Sequence, residues 1–173
     1  MLIDFPDFVL RSMEAADAED YFWLYSHPEV ARYDDFAPLT RAELRIDMER
    51  IAAYSAESPY LELAVVAKSC GRMIGVLTID RKRSYIYLGY HFHPDFQGKG
   101  YALRSMQALL STLTSNEQAR LRIVSHPQNK ASIALAGRLG FRYLKRRYPK
   151  GSPELIFGFI GQPGAVAPKL NPA

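Results

Sequence analysis

One cysteine, Cys70, is all that the chain contains, so an intrachain disulfide is excluded. It lies in Ser69-Cys70-Gly71, which reads as a hairpin turn, and no pattern of a catalytic thiol surrounds it. The want of disulfides fits a reducing compartment. Also missing is a basic segment followed by an apolar run at the N-terminus. Met1-Leu2-Ile3-Asp4-Phe5 has neither, so no signal peptide is expected. No stretch approaches the ~20 apolar residues of a membrane span, which makes a cytoplasmic protein without membrane attachment the expectation. Charge of one sign is scarce too. The 22 basic side chains against 18 acidic ones leave a net charge of +4, and only Arg81-Lys82-Arg83 and Lys145-Arg146-Arg147 cluster tightly. A nucleic-acid surface wants a basic stripe interleaved with aromatics. Two short runs read as solvated turns and strand ends, and no nucleic-acid partner is expected.

What is present suits a globular protein. Hydrophobic residues make up 48% of 173, enough for a core in one domain of ordinary size. Phe8-Val9-Leu10-Arg11 reads as a first strand. Asp17 is placed to cap a helix running to about Ser26, with Glu19 and Asp20 where the helix dipole favours acids. Pro28 and Pro38 bracket an irregular connection holding Tyr33, Asp34 and Asp35. Thr40-Arg41-Ala42-Glu43 has capping-box spacing and opens a second helix with Leu44, Met48 and Ile51 on one face. The period then changes. Leu61 to Ala67, Met73 to Ile79 and Tyr85 to His93 read as three antiparallel strands joined by short turns. Leu103, Met106, Leu110 and Leu113 share a helix face, Leu121 to Ser125 is a strand, and a helix follows Asn129 as far as Gly140. Tyr143 to Tyr148 and Leu155 to Ile160 make a final strand pair. The fold class is therefore mixed α+β, with about six to seven largely antiparallel strands and about four helices. Residues 1–160 are expected to form one domain. Residues 161–173 are rich in Pro, Gly and Ala and are expected to be a mobile tail.

The most informative segment runs from Gly89 to Ala102. A strand enters the loop Gln97-Gly98-Lys99-Gly100, and a helix begins at once. Such a junction turns unpaired backbone N–H groups and the positive end of a helix dipole toward one point. Glycines let the main chain approach a bulky anion. The spacing predicts a phosphate or pyrophosphate site, or else a plain turn between strand and helix. A dinucleotide fingerprint needs a third glycine where Leu103 stands, and a P-loop needs Gly-Lys-Ser/Thr, which Gly98-Lys99-Gly100-Tyr101 does not supply.

Gln97-Gly98-Lys99-Gly100-Tyr101-Ala102 is similar to the pyrophosphate loop of the GNAT acetyltransferase superfamily. The lead-in Gly89-Tyr90-His91-Phe92-His93-Pro94-Asp95-Phe96 resembles that of its ribosomal-protein N-terminal acetyltransferases. So do Asn129-Lys130-Ala131-Ser132 with Leu139-Gly140-Phe141, and the segment from His27 to Tyr33. The resemblance spans about Phe8 to Ile160 and implies a sheet splayed between the strands at 85–93 and 121–125, counted fourth and fifth. It implies acetyl-CoA as co-substrate and a primary amine, a protein N-terminus or a small amine, as acceptor. The pyrophosphate would sit on the backbone of Gly98, Lys99, Gly100, Tyr101, Ala102 and Leu103, with Gln97 in the loop. Tyr90, His91 and Phe92 would lend main-chain groups to the pantetheine arm, whose amides can pair with a strand edge as a peptide does. Asn129 would bond the arm near the thioester, or simply cap its helix.

The chain departs from the family pattern where the proton donor is concerned. Many members carry a tyrosine seven positions after the asparagine, and here that position is Ala136. Ser132 is then the candidate to polarise or protonate at sulfur; a helix serine bonding its own backbone is the alternative. For a base, Glu62, His91, His93, Asp80 and Tyr148 remain, while Val124 and Arg104 stand where relatives have glutamate. Arg104 suits a phosphate contact. His91-x-His93 lacks the further ligands of a metal site, so none is expected. Three readings stay open: an N-acetyltransferase acting by direct transfer, as monomer or homodimer, a non-catalytic CoA-binding module of the same fold, and a nucleotide-binding regulatory domain using the same loop.

Overall fold

The protein is seen in a computed structural model that describes residues 2–55 and 57–161. Apart from Gly161, the expected tail lies outside the described residues. The chain runs through β1 (Leu2–Asp4), β2 (Phe8–Ser12), α1 (Ala18–Tyr25), α2 (Pro28–Ala31), α3 (Arg41–Ala52), β3 (Tyr60–Ala67) and β4 (Met73–Arg81). It continues through β5 (Ile86–Phe92), α4 (Tyr101–Ser111), α5 (Ser115–Ala119), β6 (Leu121–Ser125), α6 (Lys130–Arg138), β7 (Phe141–Arg147) and β8 (Glu154–Phe159). All eight strands join one sheet in the order β1-β2-β3-β4-β5-β6-β8-β7, antiparallel throughout except where β5 meets β6.

The mixed α+β class and the antiparallel sheet are as expected, and the counts differ by short elements. An eighth strand comes from β1, three residues that pair Leu2 with Arg11 and Asp4 with Val9. Three residues are too few to display a period of two. Two helices beyond the expected four are α2 and α5. Pro28 opens α2 at a first-turn position, where a missing N–H costs nothing. Thr114 and Glu117 close a capping box on the five residues of α5. Asp17 stands at the start of α1 but makes no capping bond there. Its carboxylate instead accepts both arms of the Arg11 guanidinium, at 2.7 and 2.8 Å, and the Glu14 N–H.

Because helices cover both faces, the central strands are buried on both sides. One face packs Leu63, Val65, Leu77, Ile79 and Leu88 against Met106 and Leu109 of α4 and Leu135 of α6. The other packs Ala64, Met73 and Val76 against Tyr21, Leu24 and Tyr25 of α1 and Leu44 and Ile51 of α3. A bulge reconciles the two sets. Val65 pairs with Gly75 and Val66 with Met73, so Ile74 is the extra residue and the facing pattern of β4 inverts there. The helix α4 is thus fixed to the sheet by fully buried side chains, and the loop before it is held in turn. Leu109→Ala is expected to cost about 3 kcal/mol, the usual loss for a cavity in a packed core. Urea unfolding should show a lower midpoint with an unchanged slope.

Candidate active site

The register of β5 creates the site. It pairs with β4 along its whole length, from Arg81↔Ile86 to Gly75↔Phe92. Toward β6 it pairs only at Ile86↔Leu121 and Tyr87↔Arg122. Beyond that point β6 turns to β8, from Arg122↔Gly158 to Ser125↔Leu155, and the sheet opens between residues 88–92 and 123–125. The splay expected between these two strands is therefore present. Backbone groups alternate along a strand. His93 N–H donates to Ile74 of β4 and Ile86 N–H donates to Arg120, at the start of β6. It follows that the main-chain groups of Leu88, Tyr90 and Phe92 face the gap, while those of His91 face β4. The Phe92 carbonyl accepts from the Gln97 side chain at 2.9 Å. Gln97 thus ties its loop to the strand end.

The loop itself is shaped by two glycines with positive φ, Gly98 at 72° and Gly100 at 81°. Gly100 occupies the N-cap of α4. The first helical bond is that from Arg104 N–H to the Gly100 carbonyl, and among the described residues the fold uses none of the amides from 98 to 103. Unpaired amides at the positive end of a helix form a cradle for an anion. Lys99 lies outside the cavity lining, with its ammonium over the Phe96 ring at 5.1 Å. Arg104 does not reach toward a phosphate, because its guanidinium is held bidentately by Asp7 at 2.6 and 2.7 Å.

Gap and loop open into one cavity of about 950 Å³. It brings together Tyr90, His91, Phe92, Gln97, Gly98, Gly100, Tyr101, Ala102, Leu103, Asn129 and Ser132. Its far end reaches Tyr33, Asp34, Asp35 and the β7–β8 connection at Ser152 and Pro153. Tyr33 stacks on His126 at 5.7 Å between ring centres, linking the segment after α2 to the end of β6. Asn129 caps α6, accepting the Ser132 N–H on Oδ1 at 3.1 Å. Ser132 makes no bond to its own helix backbone through Oγ. That oxygen accepts a hydrogen bond from the Tyr90 hydroxyl at 2.8 Å. Burial pushes the Tyr90 phenol up to about 12, against the opposing pull of the Ser132 bond, so it keeps its proton at neutral pH. The side chain of Tyr90 is a site feature that sequence spacing missed, since 42 residues separate the pair.

The other candidate bases are mostly absent from the cavity. Glu62 is buried between α3 and β3, where Arg50 donates two hydrogen bonds to its Oε1 at 3.1 Å. His93 stacks on Trp23 with ring centres 3.4 Å apart, and burial lowers its pKa. Asp80 pairs with Lys82 at 2.9 Å, and Tyr148 is exposed. Of the set, only His91 lines the cavity.

The acetyltransferase (GNAT) domain family matches residues 7–142. An uncharacterized N-acetyltransferase p20 from Bacillus licheniformis is 30% identical over 154 residues, covering 85% of this chain and 86% of that protein. The chain belongs to the GNAT acetyltransferase family. Solved GNAT structures share the fold. An acetyltransferase from Bacillus anthracis superposes with a TM-score of 0.76 at 20% identity, over 91% of this chain and 96% of that one. The RimL ribosomal L7/L12 α-N-protein acetyltransferase in complex with coenzyme A gives 0.76 at 18%, over 91% and 96%. The ribosomal-protein-S5-alanine acetyltransferase from Vibrio fischeri gives 0.75 at 18%, over 91% and 94%. As a GNAT acetyltransferase the protein uses acetyl-CoA as co-substrate, and no helix among its described residues is long and apolar enough to cross a membrane.

The loop geometry can be tested directly. Acetyl-CoA at ~100 times its Kd should raise Tm by roughly 5–10 °C, from a mass-action gain of about 2.7 kcal/mol. Gly100→Glu, which places charge and bulk at the cradle, should abolish the rise in differential scanning fluorimetry. A full rise in that variant would contradict the assignment of the loop.

Proposed function

We propose that this GNAT enzyme acetylates a primary amine, a protein N-terminus or a small amine, by direct attack on the thioester. Residues 1–160 act as one acyl-CoA-binding unit. In this reading the pyrophosphate rests on the amides of 98–103, and the pantetheine arm runs along the gap-facing groups of Tyr90 and Phe92. Asn129 keeps its amide nitrogen for the arm while Oδ1 caps the helix. Ser132 stands at the sulfur.

The observation that carries the role of Ser132 is the hydrogen bond from Tyr90. A serine hydroxyl offers one donor and two acceptor positions. With Tyr90 donating to it, Oγ must aim its own hydrogen elsewhere, and the cavity is the open direction. As the amine nitrogen attacks the carbonyl carbon, the C–S bond breaks and charge collects on sulfur. Ser132 gives its hydrogen to the leaving thiolate and takes up the proton shed by nitrogen as the amide forms, so the products are thiol and amide and the hydroxyl is restored. Tyr90 strengthens the donor by polarising Oγ. The reading as a non-catalytic CoA-binding module draws on Ala136, which is fully buried in the core and leaves no room for the tyrosine of other family members.

Release of free thiol from acetyl-CoA, measured over a panel of amines and N-terminal peptides, separates the two. An enzyme releases thiol with at least one class of acceptor; a module binds acetyl-CoA and releases none. Ser132→Ala should lower kcat about 100-fold, within the range of a lost proton donor, while the acetyl-CoA-induced rise in Tm stays as in the wild type.

A further inference from the structure

His91 follows Tyr90 in sequence and projects from the opposite face of β5, where its ring is fixed at both nitrogens. Nδ1 lies 3.2 Å from the Tyr25 hydroxyl of α1. Nε2 lies 3.2 Å from Oδ2 of Asp34, in the segment after α2. A carboxylate can only accept, so Nε2 donates to Asp34 whether the ring is neutral or charged. In the neutral ring Nδ1 accepts from Tyr25, whose burial raises its pKa far enough to keep the phenol protonated. Phe36 closes edge-on against the imidazole at 5.5 Å between ring centres. A chain thus runs from buried Tyr25 through half-buried His91 to Asp34 and ends on a carboxylate that is 43% exposed.

The charge balance of the cavity singles out that carboxylate. Glu29, Asp34, Asp35 and Glu154 line it, with Arg32, Arg138 and Arg147 as the cations. Glu29 is matched by Arg32 at 3.1 Å and Glu154 by Arg147 at 2.6 Å. Among the described residues neither Asp34 nor Asp35 has a Lys or Arg within ion-pair distance. Of these two, Asp34 is the one whose orientation the hydrogen-bonded chain from Tyr25 sets. His91 occupies one acceptor position of the carboxylate and leaves others for a ligand. We propose that Asp34, held by His91 and Tyr25, is the docking carboxylate for the ammonium group of a cationic primary-amine acceptor. Asp34 touches the acceptor as its ammonium, which gives one proton to solvent to become the neutral amine that attacks, and His91 and Tyr25 are positioning residues. The proposal rests on the acetyl-transfer reading and assigns the acceptor's chemistry within it.

The test is isothermal titration of the CoA-saturated protein with 1,4-diaminobutane and with Ala-Ala-Ala amide, using 1,4-butanediol as the uncharged control. Saturable binding of at least one ammonium probe, and none of the diol, is expected. Asp34→Asn should weaken that binding about fivefold, the upper end of the scale of one partly exposed charge pair. His91→Gln, which keeps an N–H donor for Asp34, should retain it, and His91→Leu should lose it to a similar degree as Asp34→Asn. The CoA-induced rise in Tm should be the same in all three variants, which a merely structural defect would not allow. No ammonium binding, equal binding of the diol, or an Asp34→Asn affinity within about twofold of wild type overturns the proposal. Wild-type binding in His91→Leu overturns the positioning role. Absence of CoA-induced stabilisation in the wild type instead brings down the acetyl-transfer reading itself.

Discussion

The divergence of β5 from β6 is the constraint on which the rest of this molecule depends. Buried backbone N–H and C=O groups are costly to leave unpaired, so a sheet opens in its middle only where something else takes them up. Here each strand is held on its far side. β5 keeps full pairing with β4, and β6 exchanges its partner for β8. Each half of the sheet stays rigid, and the free edge of residues 88–92 is presented to the cavity. Both motif segments hang from the diverging strands. The glycine loop follows β5, and the Asn129 cap follows β6, so they converge on one opening although some 30 residues of chain lie between them.

The period of a strand then divides the chemistry between two faces. Successive side chains point to opposite sides, so Tyr90 reaches α6 and Ser132 while His91 reaches α1 and Asp34. The open gap is what lets the two faces share one cavity, since in a closed sheet Tyr90 and His91 would serve separate compartments. An acyl donor lying along the β5 edge has one face of the sheet for its sulfur and the other for the incoming amine. The proposed roles of Ser132 and Asp34 follow that partition.

How much of this the sequence carries depends on the range of the interaction. Long elements with a clear period are legible, and so is the cradle, because Gly98 and Gly100 announce positive φ by their identity and Tyr101 opens a periodic helix. The elements missed are β1, α2 and α5, of three to five residues each, over which no period develops. Pairings between distant residues are invisible to spacing. Asp7 lies 97 residues before Arg104 and takes the guanidinium that composition alone assigns to a phosphate. Asp34 lies 57 residues before His91, and a sequence reading places one in an irregular connection and the other among the candidate bases without learning that they touch. Asn129 shows the reverse case. Its capping role and its expected ligand role are not rivals, because an amide side chain has an oxygen for the helix and a nitrogen to spare.

The pinning of Ser132 answers the question raised by Ala136. At Ala136 the side chain is fully buried among Leu135, Leu139 and the sheet, so a phenol from that turn of α6 has no space to occupy. The phenol that reaches α6 comes instead from across the gap, on β5, and meets the helix one turn earlier. There the Ser132 N–H is tied to the Asn129 cap and its Oγ to Tyr90. Any slide of α6 along β5 breaks the Tyr90 bond inside a cavity where replacement partners are few and an unpaired polar group is expensive. The Tyr90 bond therefore ties the two sides of the gap at the level of Ser132, while the Asn129 cap holds the first turn of α6 that carries it. In the role proposed for Ser132, a hydroxyl held between α6 and a strand across the opening is positioned by the splay rather than by the length of one helix.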